Sequence, residues 1–96
     1  MKVVWTETAL KKFSQIIDYL KENFSEKAAK DFAAKTDEKI AQIQQFPEIG
    51  RKSPKAKDVR KVNIGKRTSM FYKVKTTILT ILTFSDHRED PDKSQY

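Results

Sequence analysis

Four side chains in this 96-residue chain are suited to moving protons or holding a phosphate: Arg60, Tyr72, His87 and Arg88. An arginine fork can grip phosphate or carboxylate through two parallel contacts. A tyrosine phenol in a cleft can serve as a general base or stack on a nucleobase. His87 is the single histidine, and it lies in Asp86-His87-Arg88-Glu89-Asp90-Pro91, where a neighbouring arginine suits it to acid–base work on a phosphodiester. Each residue also has a plainer role: Arg60 pairing with Asp86 or Glu48 at a strand end, Tyr72 in the core with its hydroxyl bonded, Arg88 pairing with Asp86 or Asp90 in a turn. With one histidine and no ligand spacing, no metal centre is expected. The absence of cysteine removes disulfides, thiolate ligands and thiol nucleophiles. Gly50 and Gly65 are the only glycines, so there is no nucleotide-cradling loop, and no cofactor is expected.

Charge is the strongest clue to a partner. Ten of the 20 Lys and Arg residues fall between Arg51 and Lys75, with Asp58 as the single acid among them. That window carries +9 in a chain of net charge +7, which leaves −2 for the rest. Ordinary solvated surfaces mix both signs, so a one-sided block marks a site for a polyanion or an acidic protein. A merely solubilising surface is the plainer alternative. The candidate contacts are Arg51, Lys52, Lys61, Lys66, Arg67 and Lys73, which strand geometry gathers into a patch.

The elements that must position these residues follow from periodicity. Lys2 to Trp5 is a short β-prone run, and Thr6 or Thr8 can cap the helix that follows. Ala9, Phe13, Ile16, Ile17, Leu20 and Phe24 then recur at helical spacing. Asn23 can end that helix and Ser25 cap a second one, whose inner face reads Ala28, Ala29, Phe32, Ala33, Thr36, Ile40 and Ile43. Pro47 excludes helical geometry at Phe46 and ends it. So short a link makes the helices an antiparallel hairpin, with Phe46 and Ile49 expected to plug its open end. Three strands follow: Val59 to Ile64, Ser69 to Lys75 with Met70, Tyr72 and Val74 on one face, and the nearly continuous apolar run Ile78 to Phe84. Their connections, Gly65-Lys66-Arg67 and a turn near Thr76, are too short for crossovers, so the three form an antiparallel meander. The expected fold is a single α+β domain over residues 1–96, of order β-α-α-β-β-β. The hairpin packs on one face of a small, mainly antiparallel sheet, and the first strand pairs with Ile78 to Phe84. Residues 85–96 form a polar tail that leaves the sheet. No apolar run reaches the length of a signal peptide or a membrane span, which points to a soluble cytoplasmic domain with no membrane partner.

Seven stretches, taken in order, carry a resemblance. They are Val4-Trp5-Thr6 leading into Ala9-Leu10, Ile17-Asp18-Tyr19-Leu20, Phe46-Pro47-Glu48-Ile49-Gly50-Arg51, Val59-Arg60-Lys61, Phe71-Tyr72-Lys73-Val74, Ile81-Leu82-Thr83-Phe84 and Arg88-Glu89-Asp90-Pro91. Together they resemble the RelE/ParE superfamily of bacterial toxins from type II toxin–antitoxin systems, over nearly the whole chain. The resemblance implies a growth inhibitor, of the kind associated with plasmid stabilization, neutralised by a cognate acidic antitoxin in a hetero-oligomer. An acidic, partly disordered antitoxin that folds on contact would suit the basic surface. ParE-like members poison DNA gyrase, and RelE-like members cut messenger RNA on the ribosome. In a ribonuclease of this kind, Arg60, Tyr72, His87 and Arg88 would hold the phosphate and move protons. The aromatic or histidine-rich ending of ribonuclease branches is missing directly after the last strand. The Phe-Pro-Glu-Ile-Gly-Arg connector and the Arg-x-Asp-Pro ending look more ParE-like, so a gyrase inhibitor without a catalytic site is the favoured expectation.

Overall fold

The computed structural model describes residues 1–87 and 95–96. Its elements are β1 (Lys2–Trp5), α1 (Glu7–Asn23), α2 (Glu26–Gln45), β2 (Arg51–Lys52), β3 (Arg60–Ile64), β4 (Thr68–Lys75) and β5 (Ile78–Asp86). They form two helices against one mixed five-stranded sheet of order β1-β5-β4-β3-β2. This is the expected α+β arrangement with one addition, the two-residue edge strand β2. The strand β1 pairs parallel with β5, and the other pairings are antiparallel.

Local chemistry sets the boundaries. Thr6 caps α1 by accepting the Ala9 N–H at 3.0 Å, and its hydroxyl also donates to the Leu82 carbonyl, which ties the cap to the sheet. Ser25 caps α2 in the same way through the Ala28 N–H. Pro47 leaves Phe46 as the C-cap of α2. The turn at Gly65 has positive φ, as does Thr76 in the next hairpin.

The helices cover one face of the sheet. Ala9, Phe32, Ile40 and Ile43 meet Val62, Ile64, Met70, Tyr72, Leu79, Ile81 and Phe84 there, and Val74 packs at the margin. Phe84 sits inside an aromatic group with Trp5, Phe13 and Phe32. A bulge lets β5 serve both faces: Phe71 pairs with Thr83 and Tyr72 with Ile81, so Leu82 is the extra residue. Ile81 and Phe84 therefore both reach the main core, while Leu82 joins Val59 and Phe71 in a small cluster on the opposite, open face.

Three expectations need correction. Phe46 and Ile49 do not plug the hairpin; they are 64% and 48% exposed, because the connector turns away once it is tied to β3 and β4. Phe24 is not a core residue; it falls beyond the last turn of α1 and stands exposed beside Tyr19. Ser85 and Asp86 extend β5, where they pair with Ser69 and Thr68, and do not begin a tail. Tyr96 returns to the open face, its ring 5.7 Å from that of Phe71 and its carbonyl accepting from the Ser53 hydroxyl.

Candidate functional site

The sheet's alternation sorts the proposed residues into two sets. Arg60 and Tyr72 pair across β3 and β4 and belong to the helix-facing side. Tyr72 is fully buried. Its hydroxyl accepts the Gly50 N–H at 2.9 Å and donates its proton to the Pro47 carbonyl at 2.9 Å. Arg60 donates through Nη1 to the Gly50 carbonyl at 2.8 Å and to the Glu48 carbonyl at 3.1 Å. The Pro47-to-Gly50 connector is thus latched at both of its polar ends. A Cβ on Gly50 would lie 2.6 Å from the Tyr72 hydroxyl and 3.0 Å from the Arg60 Cβ, so the latch closes only over glycine. Burial pushes the Tyr72 phenol above its ordinary range; the Gly50 hydrogen bond and the Arg60 charge oppose that in part. At neutral pH the phenol is protonated, with both hydrogen-bonding directions taken up.

The other set lies on the open face. His87 stands at the end of β5, its backbone N–H donating to the Arg67 carbonyl at 2.7 Å. Its Nε2 lies 2.7 Å from the Ser69 hydroxyl, which in turn donates to Asn63 Oδ1 at 3.1 Å. Beside this polar row, β2 places Arg51 directly opposite Lys61. Arg51, Lys52, Lys55 and Lys61 line one groove with the polar row, and Asp86, Phe71 and Tyr96 also border it.

The basic window does not make one patch. Lys66 and Arg67, in the β3–β4 turn, border a second groove with Lys12 and Lys35, floored by Ile64, Phe84, Leu20 and Tyr19 at the tip of the helical hairpin. Lys73 is exposed on β4 opposite Thr80 and borders neither groove. Arg88 lies outside the described residues. Arg60 and Tyr72 come together, but around the connector and on the face opposite His87. Ser69 and Asn63 escaped the sequence reading. Their polar parity was visible, but their meeting with His87 depends on the register of three strands, which periodicity does not fix.

Among the described residues no group of three His, Asp or Glu side chains is placed to hold a metal, and no helix is long and apolar enough to cross a membrane.

Comparison with known proteins agrees with this architecture. A family model described as the ParE toxin of the type II toxin–antitoxin system, parDE, matches residues 3–91. No curated protein matches the chain. A chain of the chromosomal ParDE system from P. aeruginosa superposes with a TM-score of 0.76 at 22% identity, covering 90% of this chain and 95% of that one. A YoeB/ParE toxin from Agrobacterium tumefaciens gives a TM-score of 0.66 at 17% identity, over 91% and 99% of the two chains. At these identities the two likenesses concern the fold.

Proposed function

The chain belongs to the ParE toxin family of type II toxin–antitoxin systems, and from that premise we propose that it arrests growth by binding DNA gyrase and is neutralised by a cognate acidic antitoxin. The observation that carries this reading is how Arg60 and Tyr72 are engaged. Both belong to the set a ribonuclease would need, and both hold the connector through main-chain hydrogen bonds, Tyr72 with its proton on the Pro47 carbonyl. A buried phenol with a raised pKa is a poor general base near neutrality. Binding needs no such base, and it needs what the surface offers: exposed cations beside apolar grooves. An acidic segment folding across those cations would form a toxin–antitoxin hetero-oligomer in the cytoplasm.

Inducing the toxin in bacterial cells and following two readouts tests the assignment. Gyrase-dependent chromosome breakage with intact transcripts is the expected outcome, relieved by co-expressing the antitoxin from the adjacent reading frame. Transcripts cleaved at the ribosome with undamaged DNA would overturn it in favour of a messenger RNA endoribonuclease. In that case Arg60→Glu would have to abolish cleavage for the phosphate role of Arg60 to stand.

A further inference from the structure

The open face of the sheet holds three buried apolar residues, Val59, Phe71 and Leu82. Ala56 and Tyr96 pack over them. The Tyr96 ring lies 5.7 Å from that of Phe71 at a tilt of 37°. Its main-chain carbonyl accepts the proton of the Ser53 hydroxyl. Ser53 is itself fixed in place. Its hydroxyl oxygen accepts the Lys55 and Ala56 N–H groups at 3.1 and 3.2 Å, and its own N–H donates to the Val59 carbonyl at 2.8 Å. With both acceptor directions taken, the hydroxyl is left as a donor aimed over the cluster. Tyr96 stays half-buried, whereas Val59, Phe71 and Leu82 beneath it are 5%, 6% and 8% exposed. Withdrawing Tyr96 would uncover an apolar spot beside Arg51 and Lys61, which line the adjoining groove. Apolar surface rimmed by charge is the composition of a protein-docking site.

We propose that Tyr96 is a ligand held in cis. It fills an acceptor built from Val59, Phe71, Leu82 and the Ser53 hydroxyl, which takes an aromatic residue of a carboxylate-rich peptide segment once Tyr96 leaves. The seated residue states the specificity. Its ring meets Phe71 at the tilted spacing that aromatic pairs favour, and its carbonyl meets Ser53, so side chain and main chain are read together. A peptide presents a ring and a carbonyl in that fixed relation, because the seated group is itself a peptide residue. Flanking carboxylates suit Arg51 and Lys61, like charges that the ladder sets directly opposite each other. Tyr96 and an incoming residue cannot share the acceptor, so the chain restrains its own docking surface. The inference goes beyond the toxin reading and does not depend on it, because binding is measured on the purified chain whatever its cellular target.

The test uses the purified 96-residue chain and the peptide acetyl-Glu-Glu-Tyr-Glu-Glu-amide, followed by proton–nitrogen spectra. In the wild-type chain, saturation should abolish the nuclear Overhauser contact between the Tyr96 and Phe71 rings. Amide signals of Ser53, Ala56 and Leu82 should shift, with Lys66 and Arg67 unmoved. This readout needs no variant. Tyr96→Ala should bind the peptide about tenfold more tightly, the factor that applies where an acceptor is open about a tenth of the time. Phe71→Leu in that background should take back about three- to tenfold, the worth of one aromatic pair. Replacing the peptide's tyrosine by alanine should cost as much. A Tyr96→Ala chain that binds no more tightly than wild type overturns the proposal, as does a peptide that saturates while the ring contact persists. Equal affinity for the tyrosine and alanine peptides overturns it too, since charge alone is then being read. A ring contact that disappears on dilution overturns the cis assignment and makes a second copy of the chain the donor of Tyr96.

Discussion

The two faces of this sheet are built from alternate residues of the same strands, yet they are put to opposite uses. On β3, Arg60 turns toward the helices and ends on backbone carbonyls, while Lys61, one residue on, lines a cationic groove on the open face. On β4, Tyr72 is a buried latch and Phe71 is part of a thin apolar cluster with Val59 and Leu82. On the helix-facing side Arg60 and Tyr72 satisfy their polar groups on the connector's main chain. The open side leaves an excess of donors pointing outward. A charged residue therefore reports function only after its partners are known, and adjacent residues of one sequence motif, here Val59-Arg60-Lys61, can divide scaffold from surface.

Truncating a large core residue on each face is the most severe challenge to that contrast. Phe84→Ala removes a ring packed against Trp5, Phe13 and Phe32, and should cost about 3–5 kcal/mol. In a domain whose total stability is of the order of 5–15 kcal/mol, that can unfold it at 37 °C. Phe71→Ala should cost less, about 2–3 kcal/mol, because its cluster is small and can collapse over the gap. Urea unfolding of both variants checks the order, and a larger loss from Phe71→Ala would mean that the open face carries the fold.

The next test concerns the connector latch. Gly50→Ala forces a methyl group within 2.6 Å of the Tyr72 hydroxyl and should destabilise by about 1–3 kcal/mol. Tyr72→Phe makes room but orphans the Gly50 N–H, at about 1–3 kcal/mol of its own. Because both act on one contact, the double variant should lose clearly less than the sum of the singles. Additive losses in thermal unfolding would show that the strain at Gly50 is unrelated to Tyr72.

Much of this division was legible beforehand and some of it was not, for physical reasons. Helical spacing identified Phe13, Ile16, Ile17 and Leu20, and strand parity put Met70, Tyr72 and Val74 on one face, because both patterns are periodic consequences of burial. Caps at Thr6 and Ser25 are local and were readable as such. The bulge at Leu82, the register that brings Ser69 to His87, and the return of Tyr96 to Phe71 are decided by contacts distant in sequence. Arg60 shows the limit most clearly. Its residue type predicted an anion, and its partners are the carbonyls of Glu48 and Gly50, which no side-chain pattern advertises.

Alkaline pH separates the faces further. The Tyr72 phenol titrates above its unfolded value of 10.0, so the folded state holds that proton where the unfolded chain has released it. Stability from this group is complete below pH 10 and declines as pH rises through the raised folded value. Tyr72→Phe should remove that part of the decline. The stability gap between wild type and variant should therefore narrow above pH 10 in matched unfolding curves, and a gap that stays constant would mean the phenol titrates alike in both states.

The smallest effect is the most diagnostic of the open face. Lys61 faces Arg51 across β2 and β3 with no ion-pair partner among the described residues, so Lys61→Gln removes a repulsion and little else. It should raise stability by a few tenths of a kcal/mol, roughly the lower end of a cross-strand pair energy, at low salt. The gain should vanish near 1 M salt, where the Debye length falls to about 3 Å. Arg60→Gln, one residue away, should do the reverse: lose about 1 kcal/mol or more at any salt, because its bonds to the connector carbonyls are short and partly sheltered. If both substitutions destabilise to the same extent, Lys61 is also a scaffold residue, and the open face is less committed to an external anion than its charge suggests.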